Sequence, residues 1–200
     1  MNKKIKFVMY WGVGEKNNID EFDISAIKFQ KKWLDEFSKI IGLEYEVDYI
    51  ISDTHAYINS IPNYLTQNYI KSVENILCDY GYNVIMSSTL LHKYNIDIIQ
   101  AINSYDINNI LENNSYSSMI KGLKQQAESH SYINDDKSYI SYFKANLIEN
   151  SLISEEYSKH IFITYKPPQE KMFLPSLPKI YTFVDINQET KRPWFHNKDK

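Results

Sequence analysis

The chain has 200 residues, of which 43% are hydrophobic and 24% charged, and its formal net charge is −3. This composition is typical of a globular protein and argues against disorder along the whole chain. A single cysteine, Cys78, excludes an internal disulfide and a zinc site built from several cysteines. It lies in an apolar helical pattern, and we expect it to be a buried, inert thiol. No segment approaches the roughly 20 apolar residues that a membrane-spanning helix needs, so we expect no membrane partner.

Lysines precede the first apolar run, residues 4–11, much as they precede the core of a signal peptide. The run ends at Trp11 without a small-residue cleavage site, and we therefore interpret it as the first strand of a cytoplasmic protein. From Lys159 onward there are eight basic residues and four acidic ones. That surplus suits a small anionic substrate, but it lacks the dense basic and aromatic pattern of a nucleic-acid-binding face.

Strand-like and helix-like patterns alternate along the first half of the chain. Apolar runs begin near Lys4, Tyr45 and Tyr82, and helix-length connectors separate them. This alternation predicts adjacent parallel strands joined by right-handed crossovers. We predict one α/β domain over residues 1–200, with a Rossmann-like, mostly parallel sheet, flanking helices and a helical insertion before the last strands. Residues 88–158 would form that helical subdomain.

Helix boundaries follow from capping signals. Asp23 precedes a helical pattern that runs to Ile41 and stops at Gly42, and the dipeptide Ile61-Pro62 opens a second helix that extends to about Tyr80. Ser87 and its hydroxyl neighbours follow the third strand, where they either cap the next helix or bind a ligand, and capping is the better explanation.

The most informative stretch is Tyr49 to Asn59, in which a β-branched apolar run ends in a cluster of short polar side chains. Ligands of open α/β sheets bind beyond the carboxyl ends of the strands. We therefore predict Asp53 and His55 as catalytic acid/base groups at the floor of the main polar pocket, and Asn59 as a substrate-binding residue. The alternative is that Asp53 caps a turn and His55 is a partly buried polar residue.

The loop after the first strand is a second polar strand end. Trp11 and Gly12 lead into it, and Lys16 offers a positive charge near two glycines that permit close backbone approach. We predict these three residues to contact substrate. The spacing matches neither a Walker loop nor a dinucleotide-binding fingerprint, so the sequence does not predict a nucleotide site.

The C-terminal region combines restricted backbone with cations. Lys171 follows a Pro-Pro turn between two predicted strands, residues 160–165 and 179–184, and Arg192 precedes a proline and Trp194. We predict that Lys171 and Arg192 bind a phosphate and that Trp194 shields the pocket. The histidines of the helical region lack the paired spacing of metal ligands, so we predict no metal site.

Four stretches in this order resemble the isocyanide (isonitrile) synthase family of pyoverdine-related and dityrosine biosynthesis. They are residues 5–17 (IKFVMYWGVGEKN), 49–59 (YIISDTHAYIN), 160–174 (HIFITYKPPQEKMFL) and 192–197 (RPWFHN). The family has Ser-Asp-Gly where this chain has Ser-Asp-Thr, and Pro-Trp-His where this chain inserts Phe195. The resemblance covers about half of the chain, in islands.

The resemblance implies a small-molecule biosynthetic enzyme without a redox cofactor. Its reaction would condense an amino-acid amine with the ketone of ribulose 5-phosphate, and eliminations would then leave the nitrogen as an isocyanide. The partners would be a sugar phosphate and an amino acid, and the oligomeric state stays open. Two other classes fit the same residues: a Rossmann-like methyl or nucleotide-dependent transferase, and a non-catalytic protein that binds a small ligand.

Overall fold

The structure is a computed structural model of the chain. It describes residues 4–14, 16–58, 60–106, 135–164, 174–181, 185–186 and 189–190. The strands are β1 (Lys4–Trp11), β2 (Glu44–Ile51), β3 (Asn83–Met86), β4 (Ile161–Thr164), β5 (Lys179–Tyr181), β6 (Asp185–Ile186) and β7 (Glu189–Thr190). The helices are α1 (Glu21–Ile41), α2 (Thr54–Ile58), α3 (Gln67–Asp79), α4 (Ser87–Lys93), α5 (Ile98–Ser104) and α6 (Asp136–Glu156), with a 3₁₀ turn at Asn63–Leu65.

Five parallel strands form one sheet in the order β3-β2-β1-β4-β5. The β1–β2 register pairs Phe7 with Val47 and Trp11 with Ile51. The strands that begin near Lys4, Tyr45 and Tyr82 are therefore adjacent and parallel, as the alternating pattern predicted. The Rossmann-like fold class is confirmed. A separate ribbon pairs β6 with β7 in antiparallel fashion.

Helices cover both faces of the sheet, which explains why its central strands are nearly continuous apolar runs. Alternate residues of β1 point to opposite faces. Phe7, Met9 and Trp11 join one buried cluster, and Val8 belongs to the other. The first cluster also holds buried residues of α1 and α3, and the second holds buried residues of α4, α5 and α6.

The cap of α1 differs from the sequence expectation. The helix begins at Glu21, and the N-cap is Asp20, whose carboxylate accepts from the backbone N–H groups of Phe22 and Asp23. Asp23 lies in the first turn and completes a capping box, because its carboxylate accepts from the Asp20 N–H at 2.9 Å. The predicted stop is confirmed, since Gly42 adopts the left-handed conformation at φ 68°.

Two further expectations need revision. The second predicted helix opens with the 3₁₀ turn, and α3 starts only at Gln67. Cys78, which the apolar pattern of this helix suggested would be buried, is exposed. The Pro-Pro segment and the last three residues of the predicted strand 179–184 lie outside the described residues. Within the described ranges, no helix is long and apolar enough to cross a membrane.

Candidate functional site

The candidate site lies at the carboxyl ends of the strands. In doubly wound sheets ligands bind where the strand order reverses, which here is between β1 and β4. Polar side chains gather beside that point, with Tyr10 near the end of β1 and Asp53 just after β2. Ser87 opens α4 directly after β3. The site thus combines three neighbouring strand ends.

Asp53 is half-buried and anchors the start of α4 from outside that helix. Its Oδ1 accepts from the Ser87 hydroxyl and from the Ser88 backbone N–H, each at 2.9 Å. Its Oδ2 accepts from the Ser88 hydroxyl. The serines themselves make no side-chain cap, because the N-cap position is Met86. Asp53 therefore performs the capping that the sequence had assigned to the serines.

A polar pocket of 480 Å³ opens beside Asp53. Most of its wall comes from the 3₁₀ turn and the first turns of α3, and its lining residues are Asp53, Asn63, Thr66, Gln67, Asn68, Ile70, Lys71 and Met86. Lys71 is the one cation among these lining residues. The pocket offers amide, hydroxyl and ammonium groups, and the carboxylate of Asp53, to a small polar ligand.

His55 lies behind this pocket and is not among its lining residues. It sits on the short helix α2, and only 4% of its surface is exposed. Its Nε2 is 2.8 Å from Glu149 Oε2 and 3.2 Å from the Tyr10 hydroxyl. The Tyr142 ring packs edge-on against the imidazole. Asp53 and His55 are thus close along the chain, but Asp53 lines the pocket and His55 is buried against Glu149.

Glu149 of α6 is the buried centre of this network. Its carboxylate accepts from the Tyr10 hydroxyl at 2.5 Å, from His55 and from the Thr54 hydroxyl. Burial alone would raise the pKa of Glu149, but the positive charge of His55 and these hydrogen bonds together hold the pKa below its usual value. The carboxylate is therefore ionised at neutral pH although it is only 3% exposed.

Two hydroxyls connect Glu149 with Asp53. Thr54 Oγ1 contacts Glu149 Oε1 and lies 2.9 Å from Ser87 Oγ, which in turn bonds Asp53. Tyr10 adds a protonated phenol at the Glu149 end, because burial and the nearby Glu149 charge raise its pKa well above the ordinary value. An unbroken path of oxygen atoms thus runs from the pocket wall into the protein interior.

The structure does not place the three predicted substrate contacts of the first loop, Trp11, Gly12 and Lys16, in the pocket beside Asp53. Trp11 is fully buried, and its indole N–H donates to the Tyr69 hydroxyl at 2.9 Å. Lys16 is 1% exposed and pairs with Asp23 at 2.6 Å and Asp20 at 2.7 Å. Gly12 is half-buried. None of the three lines the pocket beside Asp53.

Lys16, Asp23 and Tyr69 form a buried polar cluster under this loop. The Tyr69 hydroxyl donates to Asp23 at 2.9 Å, and the Lys16 ammonium lies 5.5 Å from the centre of the Tyr69 ring. Burial outweighs the pairing with Lys16 and raises the pKa of Asp23. It also raises the pKa of Tyr69, and the Asp23 charge adds to that effect. The cluster ties the loop to α1 and α3.

The other predicted site residues, Asn59, Lys171, Arg192 and Trp194, lie outside the described residues. Among those that the structure does describe, no group of three or more histidine, cysteine, aspartate or glutamate side chains is arranged to hold a metal ion.

Comparison with solved structures supports the fold assignment. PvcA from Pseudomonas aeruginosa gives a TM-score of 0.62 at 10% sequence identity, over 96% of this chain and 74% of PvcA. The chain is similar in fold to PvcA. Tyrosyl-tRNA synthetase from Archaeoglobus fulgidus, solved with L-tyrosine, gives a TM-score of 0.51 at 11% identity, over 90% of this chain and 55% of the synthetase. AlbC, a cyclodipeptide synthase from Streptomyces noursei, gives a TM-score of 0.47 at 10% identity, over 92% of this chain and 96% of AlbC.

No family model matches the sequence, and no curated protein is similar to it in sequence. At 10% identity, the likeness to PvcA is one of fold, and the site has to be argued from its own geometry.

Sequence reasoning missed Tyr10 and Glu149 of the buried network, and it missed Lys71 and the polar residues around it in the pocket wall: Asn63, Thr66, Gln67 and Asn68. Tyr10 was assigned to an apolar strand and was not considered further. Its side chain points to the face opposite that of its neighbours Met9 and Trp11, because successive side chains of a strand alternate between faces.

Glu149 stands in a mostly polar helical pattern and was not singled out. One signal was available in the sequence: Ala145, Leu152 and Ile153 lie four residues before it and three and four residues after it, which places Glu149 on the apolar face of α6.

Proposed function

We propose that this protein is a small-molecule biosynthetic enzyme of the isocyanide-synthase type, which converts an amino-acid amine to an isocyanide with ribulose 5-phosphate as the carbon donor. The observation that carries the proposal is the position of Asp53. Its carboxylate lines a polar pocket of 480 Å³ and is hydrogen-bonded into a buried acid/base network. The four sequence stretches that resemble the family support the same class, and the fold similarity to PvcA is consistent with it.

The chemistry requires proton transfers at the reacting amine and ketone. Condensation of the two releases water, and the eliminations that follow remove further protons. Asp53 is the carboxylate that meets the pocket, and two serines fix both of its oxygens. We assign Asp53 the role of general base. His55 acts from behind the pocket by balancing the charge of Glu149, so it is a positioning residue in this proposal.

The pocket suits a phosphorylated sugar beside an amino acid. Lys71 provides a positive charge for the phosphate, and Asn63, Gln67 and Asn68 provide amide donors and acceptors for hydroxyl groups. The synthetase with a similar fold was solved with L-tyrosine, which supports an amino acid as the second substrate. We further propose that Asn59, Lys171, Arg192 and Trp194 complete the substrate site.

The test is product formation. The purified protein is incubated with ribulose 5-phosphate and a panel of amino acids, and isocyanides are identified by mass spectrometry. We expect product from the wild type, none from Asp53→Asn, and reduced product from Lys171→Ala and Arg192→Ala. Absence of product from the wild type in the presence of both substrates would overturn the isocyanide proposal. Ligand binding that persists in all variants without turnover would instead indicate a non-catalytic binding protein.

A further inference from the structure

One residue of the segment that forms the pocket wall points away from the pocket. Residues 66–71 comprise the N-cap and the first turns of α3, and five of these six residues line the pocket beside Asp53. The exception is Tyr69, whose side chain is fully buried in the first core cluster. Residues two apart in an α-helix lie on nearly opposite sides, so Tyr69 holds the back of the turn whose front carries Lys71.

The Tyr69 hydroxyl uses both of its hydrogen-bonding roles. It accepts from the indole N–H of Trp11 and donates to Asp23 Oδ1, each at 2.9 Å. Trp11 is the last residue of β1, and Asp23 lies in the first turn of α1. Asp23 is itself paired with the Lys16 ammonium at 2.6 Å. Tyr69 therefore fixes the start of α3 to two elements that lie 58 and 46 residues away in the sequence.

The other polar side-chain contacts at the start of α3 are weaker or more local. Thr66, the N-cap residue, makes no side-chain cap, and its hydroxyl donates to the carbonyl of nearby Asn63 at 3.3 Å. Asn68 donates to Asn17 at 3.4 Å on the exposed side of the turn, which is a long contact. Helix ends without a capping partner fray readily. Among the described residues, the buried hydroxyl of Tyr69 is thus the principal polar anchor of this turn.

We propose that Tyr69 is a positioning residue of the substrate site, whose buried hydroxyl holds the first turn of α3 where Lys71 and the neighbouring amides meet the substrate. Without that hydroxyl, the Trp11 N–H and one Asp23 oxygen would each lose a partner in the core, and the turn would lose its attachment to β1 and α1. Small displacements of binding groups lower binding and turnover strongly. This inference deepens the proposed function and rests on it for the sugar phosphate as the ligand of Lys71.

Tyr69→Phe tests the proposal, because it removes the hydroxyl and keeps the buried ring. Tyr49→Phe is the matched control, since Tyr49 is equally buried in the same cluster and its hydroxyl donates to Gln30, which does not line the pocket. Calorimetry measures the Kd for ribulose 5-phosphate. We expect Tyr69→Phe to raise the Kd at least about fivefold, the equivalent of one hydrogen bond to the ligand, and Tyr49→Phe to leave it unchanged.

A double variant separates positioning from a general loss of stability. In Lys71→Met the wall has already lost its cation, so Tyr69→Phe should raise the Kd less in this background than in the wild type, because residues that act through one another are not additive. An effect of Tyr69→Phe that is absent, equal in both backgrounds or matched by Tyr49→Phe would overturn the proposal.

Backbone amide hydrogen exchange measures the anchoring without substrate. Ile70 donates to the Thr66 carbonyl, and exchange from Ile70 to Ser72 should be faster in Tyr69→Phe than in Tyr49→Phe. Trp11→Phe removes the donor to the same hydroxyl and replaces Tyr69→Phe if that variant does not fold. Unchanged exchange in this turn would overturn the anchoring role. Failure of the wild type to bind ribulose 5-phosphate, with faster exchange in the variant, would contradict the proposed function and leave the anchoring intact.

Discussion

His55 Nε2 lies 2.8 Å from Glu149 Oε2 across the interface of α2 and α6, and both side chains are almost completely buried. A buried ion pair is a costly arrangement unless further hydrogen bonds satisfy it. Here Thr54 and Tyr10 supply those bonds to the carboxylate. The pair therefore fixes α6 to the carboxyl edge of the sheet, where it closes the back of the candidate site.

Replacing Glu149 with Gln should destabilise the protein. The substitution removes the charge that compensates His55 and leaves part of the donor set unmatched, which typically costs about 3 kcal/mol for a buried pair. Urea unfolding measures the loss. Glu155→Gln, on the exposed side of the same helix, is the control and should change stability by less than about 0.5 kcal/mol. Equal unfolding midpoints for the two variants would show that the His55–Glu149 pair contributes nothing to the stability of the fold.

The stabilisation by Glu149 should depend on pH in a defined direction. Its pKa is lower in the folded protein than the ordinary value of 4.5, so its contribution is present above about pH 4.5 and is lost as the pH falls through the folded-state pKa. The difference in unfolding free energy between the wild type and Glu149→Gln should therefore shrink below that pH. Other carboxylates titrate in both proteins and cancel. A difference that stays constant from pH 7 to pH 3 would contradict this assignment.

Asp53 should be separable into a capping role and a chemical role. Asp53→Ala removes the acceptor for the Ser88 N–H and should cost about 1 kcal/mol, as loss of a helix cap usually does. Asp97→Ala is the matched control, because Asp97 caps α5 by accepting from Ile99 N and Gln100 N and lies outside the site. Both variants should lose similar stability in thermal unfolding, but only Asp53→Ala should lose turnover. Loss of turnover in both would mean that capping alone explains Asp53.

Lys16→Met distinguishes a structural lysine from a phosphate-binding one. The substitution leaves Asp23 buried without its cation, and we expect a loss of about 3 to 5 kcal/mol in unfolding free energy. Lys32→Met removes an exposed charge from α1 and serves as control. The double variant Lys16→Met with Asp23→Leu should recover much of the loss. A stable Lys16→Met protein with weakened sugar-phosphate binding would instead support the predicted substrate contact.

The fold could be predicted from the sequence because the residues that mark its strands and helix ends lie within or next to those elements. The bounds of β1 coincide with the apolar run 4–11, and Gly42 marks the end of α1 through its left-handed backbone. The start of α1 was misplaced because Asp20 and Asp23 both fit a capping position, and only coordinates show which carboxylate accepts from which N–H group.

Only part of the candidate site could be predicted from the sequence. Asp53 was found because a polar residue after a buried strand points to the sheet edge. Glu149 and Lys71 were not found, since each reaches the site through the packing of its helix against segments that are distant in sequence. Lys16 shows the converse, because a lysine in a glycine-containing loop resembles a ligand contact until its buried carboxylate partners are known.

The assignment of the pocket as the substrate site is tested most directly by calorimetric titration of ribulose 5-phosphate into the wild type, Lys71→Met and Lys28→Met. Lys71 is the cation that lines the pocket beside Asp53, and Lys28 is an exposed lysine of α1 outside the pocket. A hydrogen bond to a charged group contributes about 1.5 to 3 kcal/mol, so Lys71→Met should weaken binding at least about tenfold. Lys28→Met should bind as the wild type does. Equal affinity in all three proteins, or no binding by the wild type, would contradict the assignment of this pocket as the substrate site.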